Sequence, residues 1–170
     1  HSTSYGIHTV FRELSSFTPI KGEIVVEAVL HRLTDRAQLL LSSASMAAEG
    51  EQDEPAIQQY HILMAIAIHG SMPAGRALRE EGVTLKGIRR YLKYESSGEA
   101  RTPPFILYSE GARNVVHKAI EFADMRDEAH REVTDKDILH ALMVLADEPV
   151  LRALGHQDSS PTNILRALLR

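Results

Sequence analysis

An internal repeat constrains the fold of this chain more than any other feature of its sequence. Apolar residues at helical spacing form one run at Ala37, Leu40, Leu41, Ala44 and Ala48, and a second run 75 positions later at Ala112, Val115, Val116, Ala119 and Ala123. The i, i+3, i+4, i+7 spacing places each run on one face of an amphipathic helix. A hydroxyl residue precedes each run, Thr34 and Ser109, where it can cap the helix by accepting a bond from a first-turn amide.

The later segments of the two copies repeat in the same order. Ile62–Ile66 matches 138–142 with a displacement of 76 residues, and Ile88 and Leu92 correspond to Ile164 and Leu168. Between them, Ala77-Leu78 matches Ala153-Leu154. Four elements in the same order predict two copies of one helical unit.

A glycine follows the third helical segment of each copy, and each is predicted as a left-handed C-terminal cap. These residues are Gly82 and Gly155. Pairing them requires a short deletion in the second copy.

The fold class predicted from these patterns is all-α, with two pseudo-symmetric four-helix repeats and an N-terminal extension. No segment shows the sustained period-two alternation of a half-buried strand. We expect the extension, helical in part, at 1–32, the first repeat at 33–94, a linker containing Pro103-Pro104 at 95–106, and the second repeat at 107–170. The two repeats together are expected to form one globular domain.

The composition of the chain indicates which classes of partner and which cellular compartment to expect. The chain has 19 basic and 23 acidic residues, which argues against a nucleic-acid partner because such proteins usually show a basic excess. Its longest apolar run, Ile62–Ile68, is far shorter than the roughly 20 residues of a membrane helix, so no membrane partner is expected. The chain has no cysteine, which fits a reducing compartment, and we expect it to be cytoplasmic.

Catalytic and metal-binding patterns are weak. The nine histidines include the pairs His117/Glu121 and Asp137/His140 at helical spacing, but neither has a convincing third ligand. No phosphate-binding G-x-x-x-x-G-K-[ST] loop and no G-x-S-x-G nucleophile motif occur. We therefore expect no cofactor, no metal and no enzymatic activity.

Two segments resemble the N-terminal domain of Clp-family ATPases, which is a double repeat. The segment 61–66, H-I-L-M-A-I, is similar to the family's H-I-L-L-G-L element, and 77–89 fits its A-L-x-x-x-G-[IV]-x-L-x-x-[IV]-R element. Leu33–Ala37 resembles the family's F-T-x-R-A opening, and Tyr108–Arg113 resembles it more loosely. The resemblance covers about residues 33–170 and includes no ATPase module, so it implies a stand-alone N-domain or a fragment of a longer ATPase.

The resemblance implies a docking function. Members of the family use this domain to receive adaptors, substrates or regulatory factors. The expected function is therefore a non-catalytic module that binds peptides, adaptors or substrates in Clp-type protein quality control and proteolysis. The alternative is an accessory or regulatory subunit that binds a Clp protease core or ATPase ring without contacting substrate. In both cases the partner is a protein or peptide.

The resemblance also implies candidate site residues. Some members hold phosphorylated arginine with the threonine of the opening motif and a glutamate just before the H-I-L-L element. The hydroxyl positions correspond to Thr34 and Ser109, whereas the glutamate positions hold Tyr60 and Lys136. Because carboxylate oxygens bind a guanidinium in bidentate fashion, their loss leaves open whether phospho-arginine is a ligand. With Arg36, these residues are predicted to line one polar pocket per repeat, where the capped helix meets the H-I-L-type helix.

Overall fold

The computed structural model describes residues 31–50, 56–92 and 107–170. The predicted linker at 95–106 and nearly all of the predicted extension at 1–32 lie outside these residues. The predicted domain boundaries therefore stay predictions.

The described residues form two series of four α-helices, and corresponding helices have the same lengths of 15, 10, 8 and 8 residues. The first series consists of α1 (Asp35–Glu49), α2 (Gln59–Ile68), α3 (Pro73–Glu80) and α4 (Leu85–Leu92). The second series consists of α5 (Glu110–Asp124), α6 (Asp135–Val144), α7 (Glu148–Gly155) and α8 (Pro161–Leu168), with a short 3-10 helix at Glu128–His130. This arrangement confirms the predicted all-α fold with two four-helix repeats.

The predicted hydroxyl caps begin the two long helices. Thr34 Oγ1 accepts a hydrogen bond from the Ala37 amide at 3.1 Å, and Ser109 Oγ accepts one from the Ala112 amide at 3.1 Å. An acidic residue follows each cap, and its charge is favourable beside the positive end of the helix dipole. Both first helices therefore begin where the sequence predicts.

Short β pairings of the backbone connect the two repeats. Strand β1 (Ala56–Ile57) pairs in parallel with β2 (Leu107–Tyr108), and Leu33 forms an isolated parallel bridge with Val133. These pairings are absent from the all-α fold predicted from the sequence, because segments of one or two residues cannot show a period-two pattern. Each pairing joins the residue before a long helix to the segment before the second helix of the other repeat.

The apolar faces of both repeats are buried in one core. Helices α2 and α6 lie at its centre and contact each other, while Ile62, Leu63, Leu139 and Leu142 are among the fully buried side chains. Helix α4 packs against α7, and α8 packs against α3, so the last helix of each repeat covers the third helix of the other. No described helix is long and apolar enough to cross a membrane.

The turn after the third helix of each repeat matches the predicted glycine cap in the first repeat but not in the second. Gly82 has a φ of 75°, as predicted, and the following amide of Val83 bonds to the Leu78 carbonyl at 3.0 Å. In the second repeat the residue with positive φ is Asp158, at 58°, and Gly155 is the last residue of α7. The Gly155 prediction was wrong because aspartate also tolerates this conformation. With Asp158 paired to Gly82, the displacement stays at 76 and no deletion is needed.

Candidate functional site

The predicted site residues lie at two corners, each built from both repeats. At the first corner, the Thr34 amide donates to the Val133 carbonyl at 3.0 Å, which brings Thr34 beside the start of α6. Arg36, in the first turn of α1, and Lys136, in the first turn of α6, are exposed. We call Thr34, Arg36 and Lys136 the first corner.

The second corner is the pseudo-symmetric counterpart of the first. The Ser109 amide donates to the Ile57 carbonyl at 2.9 Å, which brings Ser109 beside the start of α2 and hence near Tyr60. The Tyr60 ring is half-buried and tilted against His61, with 4.2 Å between ring centroids. His61 is buried, and its Nδ1 accepts the Gln58 amide at 2.8 Å, so this histidine completes the start of α2. Ser109 and Tyr60 form the second corner.

A buried polar residue directly precedes Tyr60 and Lys136 and ties the repeats together. Asp135 is 3% exposed, and its Oδ2 accepts the Ala74 amide at 2.9 Å. Gln59 is 2% exposed; its Oε1 accepts the Asp147 amide at 2.9 Å, and its Nε2 donates to the Leu145 carbonyl at 3.0 Å. The side chains of Asp135 and Gln59 thus form hydrogen bonds with backbone groups at helix ends. These bonds fix the position of each corner and leave the two side chains unavailable to a ligand.

The carboxylate of Asp137, which follows Lys136, also forms hydrogen bonds within the chain. Arg126 donates from Nη1 and Nη2 to the two oxygens of Asp137 at 2.6 Å each, and the Thr134 amide donates to Asp137 Oδ2 at 2.9 Å. Burial acts to raise the pKa of Asp137, but the hydrogen bonds from Arg126 and Thr134 outweigh it and hold the pKa below its usual value. Neither carboxylate flanking Lys136 is therefore available to bind a ligand guanidinium, and the exposed side chains of the first corner are cationic.

An open groove of about 700 Å³ lies between α3 and α8 and reaches Lys136 of the first corner. Its lining combines small apolar side chains with charges of both signs: Pro73, Arg76, Ala77, Glu80, Glu81, Lys136, Ala167, Leu168 and Arg170. Arg170 Nη2 lies 3.8 Å from a Glu80 oxygen and 3.7 Å from a Glu81 oxygen, so these charges are only loosely paired. We call this feature the α3–α8 groove.

Solved structures resemble the chain over most of its length. The N-terminal domain of the caseinolytic protease associated chaperone ClpD from Arabidopsis thaliana matches it with a TM-score of 0.67 and 18% identity, over 83% of this chain and 94% of that one. The N-terminal domain of Hsp104 from Candida albicans matches with a TM-score of 0.63 and 18% identity, over 81% of this chain and 89% of that one. The chain has the fold of a Clp N-terminal domain.

A third similar structure comes from a malarial protein secretion system, with a TM-score of 0.58 and 17% identity over 82% of this chain and 93% of that one. No protein-family model matches the sequence, and no curated protein matches it. The likeness confirms, at the level of fold, the Clp N-domain resemblance drawn from the opening motif and the segment 61–66.

Of the residues that line the α3–α8 groove, only Lys136 is among the site residues predicted from the sequence. The other lining residues are apolar or carry charges of both signs, and on each single helix the charged ones are typical of a solvent-exposed face. The groove could nevertheless be suspected from a comparison of the two repeats in the sequence. At a displacement of 76, Ala167 in the second copy corresponds to Tyr91 in the first. A large-to-small exchange at equivalent positions marks a place where the two copies pack differently.

The histidine of the pair Asp137/His140, which matched a helical ligand spacing, forms an aromatic contact instead. The His140 ring stacks on Phe122, with 4.0 Å between centroids and an interplanar angle of 13°. Burial lowers the pKa of His140 and outweighs the opposing effect of Asp137. Within residues 31–50, 56–92 and 107–170, no three His, Asp or Glu side chains gather closely enough to hold a metal ion.

Proposed function

We propose that the chain is a non-catalytic module that binds peptides, adaptors or substrate proteins in Clp-type protein quality control. The observation that carries this proposal is the fold, which the chain shares with the N-terminal domains of ClpD and Hsp104 over more than four fifths of its length. Fold alone does not fix a function, so the proposal also depends on the chemistry of the two corners.

The corners present groups suited to a peptide. The Thr34 and Ser109 hydroxyl oxygens accept first-turn amides, and neither hydroxyl donates a hydrogen bond to another described residue. Each can therefore donate its proton to a carbonyl or a carboxylate of a ligand. Arg36 and Lys136 add positive charge at the first corner, whereas Tyr60 adds an aromatic ring at the second. We infer that the first corner contacts an acidic or phosphorylated group and that the second contacts a neutral one.

Partner capture by the intact chain tests this proposal. The purified chain is immobilised and exposed to a native cell lysate and, separately, to a denatured one. The captured proteins are compared between the wild type and the double variant Tyr60→Ala/Lys136→Ala. A matched control replaces two exposed residues away from the corners, Glu128→Ala and Arg152→Ala. We expect the corner variant alone to lose most of the captured protein, while its melting temperature falls by no more than a few degrees.

The identity of the captured proteins separates the two functional alternatives. Recovery of diverse unfolded clients or adaptors supports a recruiting module, whereas recovery of Clp ATPase or protease subunits alone favours an accessory subunit. Equal capture by the wild type, the corner variant and the control would refute the assignment of the corners.

A further inference from the structure

The two repeats present equivalent surfaces that differ at a few positions. At a displacement of 76, Arg76 corresponds to Arg152, Glu80 corresponds to His156, and Ala167 corresponds to Tyr91. Helix α8 packs against α3, and the corresponding helix α4 packs against α7. The α7–α4 contact is therefore the natural reference for the α3–α8 groove.

Side chains of the chain itself fill the reference contact. Tyr91 lies against His156, with 4.7 Å between ring centroids, so its ring bridges α4 and α7. Arg152 is ion-paired with Glu148 at 2.9 Å, and Gln157 Oε1 accepts the Thr84 amide at 2.9 Å. The main polar groups at this contact thus find partners within the fold.

In the described part of the chain, the α3–α8 groove lacks both the bridging ring and the paired arginine of the reference contact. Ala167 has no ring to bridge the helices, which leaves an open volume of about 700 Å³, within the range of ligand-binding sites. Arg76 and Lys136 are exposed, and neither forms an ion pair with any residue of the described part of the chain. The groove lining has three basic side chains and two acidic ones, so its side chains carry a net positive charge. Glu80 and Glu81 both lie nearest Arg170, which leaves the positive excess at Arg76 and Lys136.

We propose that the α3–α8 groove binds an acidic peptide segment, with a carboxylate against Arg76 and Lys136 and a small apolar side chain over Ala77 and Leu168. This inference rests on the proposed peptide-binding function and assigns it a cleft and a ligand chemistry. An arginine can hold a carboxylate through two parallel hydrogen bonds, and the apolar floor adds contact area. The excess of basic over acidic side chains in this lining is only one, which suits a single carboxylate contact better than the many charges of a polyphosphate strand.

The repeat supplies a matched control for the test. A fluorescein-labelled ten-residue peptide of Asp, Glu, Ala and Leu is titrated with the full chain, and fluorescence anisotropy gives the affinity. A second peptide carries Lys at the acidic positions, and a labelled single-stranded oligonucleotide is the third probe. We expect Arg76→Glu and Lys136→Glu each to weaken binding of the acidic peptide about tenfold, since each reverses a contacting charge. Arg152→Glu, the equivalent change in the closed contact, should stay within about twofold of the wild type.

A further variant tests the groove volume. Ala167→Tyr places the ring of the first repeat in the second and should abolish binding of the acidic peptide. If this variant fails to fold, the charge variants decide alone, since Arg76 and Lys136 are exposed. Equal effects of Arg76→Glu and Arg152→Glu, or tighter binding of the lysine peptide or the oligonucleotide, would overturn the proposal.

The outcomes also separate this inference from the proposed function. If the chain captures clients but Arg76→Glu changes neither assay, the groove assignment fails and the binding module stands. If neither clients nor peptides bind, both proposals fail.

Discussion

A residue with positive φ closes the third helix of each repeat. At Gly82 and at Asp158 the same turn forms, in which the next amide bonds back to the carbonyl of Leu78 or Leu154 at 3.0 and 2.9 Å. Glycine adopts this conformation without steric cost, whereas a residue with a Cβ is strained in it. The two glycines that looked equivalent in sequence therefore have opposite conformational roles.

Alanine substitution at these glycines should change stability in opposite directions. Gly82→Ala should lower the free energy of unfolding by about 1 kcal/mol, because the new Cβ strains the left-handed turn. Gly155→Ala should raise it by about 0.5 kcal/mol, because alanine favours the helix. Apart from the two neighbouring residues and the backbone of α7 itself, no atom of the described residues lies within 4 Å of a Cβ built at Gly155. Urea denaturation of both variants measures the effect, and a change of the same sign in both would contradict the assigned turn.

The residue after each of these turns is buried, and only one of the two is apolar. Val83 is 2% exposed, whereas Ser159 is 9% exposed and its hydroxyl has no hydrogen-bond partner in the described part of the chain. A buried hydroxyl without a partner costs free energy on folding.

Copying the first repeat at this position should stabilise the fold. Ser159→Val replaces the unsatisfied hydroxyl with the side chain of the equivalent residue, and we expect the free energy of unfolding to rise by about 1 kcal/mol. Ser159→Thr keeps the hydroxyl and is the matched control, with little or no gain expected. Thermal and urea unfolding measure both, and equal gains would show that added volume, not the removed hydroxyl, is responsible.

At the scale of elements, the ion pair between Arg126 and Asp137 ties the connection between α5 and α6 to the start of α6. Arg126 binds both oxygens of Asp137 and also donates to the carbonyls of His130 and Glu132 at 2.8 Å each. The guanidinium thus fixes the connecting loop to the first turn of α6.

Asp137→Asn should destabilise the protein at neutral pH and much less in acid. Since the folded-state pKa of Asp137 lies below its usual value, the charged carboxylate contributes stability above about pH 4, which is lost as pH falls through the folded-state pKa. We expect a loss of about 2 kcal/mol at pH 7 and a much smaller loss at pH 3, measured by urea unfolding. The control, Asp127→Asn, removes an exposed carboxylate that pairs with His130 at 2.6 Å and should change stability little. A pH-independent loss for Asp137→Asn would exclude the ion pair as its cause.

The elements also show which features a sequence can predict. The first helices and their caps depend on residues within one turn, so Thr34 and Ser109 could be assigned from local pattern. The α3–α8 groove depends on Arg76, Lys136 and Ala167, which come from three helices far apart in the chain. Their proximity follows from packing between the repeats, which no local pattern encodes.

At the scale of the whole molecule, the two repeats depend on each other for backbone hydrogen bonds. The Thr34 amide bonds to Val133, and the Ser109 amide bonds to Ile57, so each long helix begins at a residue paired with the other repeat. One apolar core contains the buried residues of both halves. A single half would expose this surface and leave the short pairings unmade.

We therefore expect neither half to fold alone. A protease recognition sequence placed within 95–106 would allow the folded chain to be cut between the repeats. After cleavage the halves should elute together with an unchanged circular dichroism spectrum, because the shared core holds them. Halves separated in urea should each lose most helical signal on refolding, since a domain of about 60 residues with half of its apolar core exposed is marginal at best. Mixing the two halves should restore the signal, and the uncut chain taken through the same urea cycle controls for refolding. A separated half that melts cooperatively would show that the repeats are independent domains.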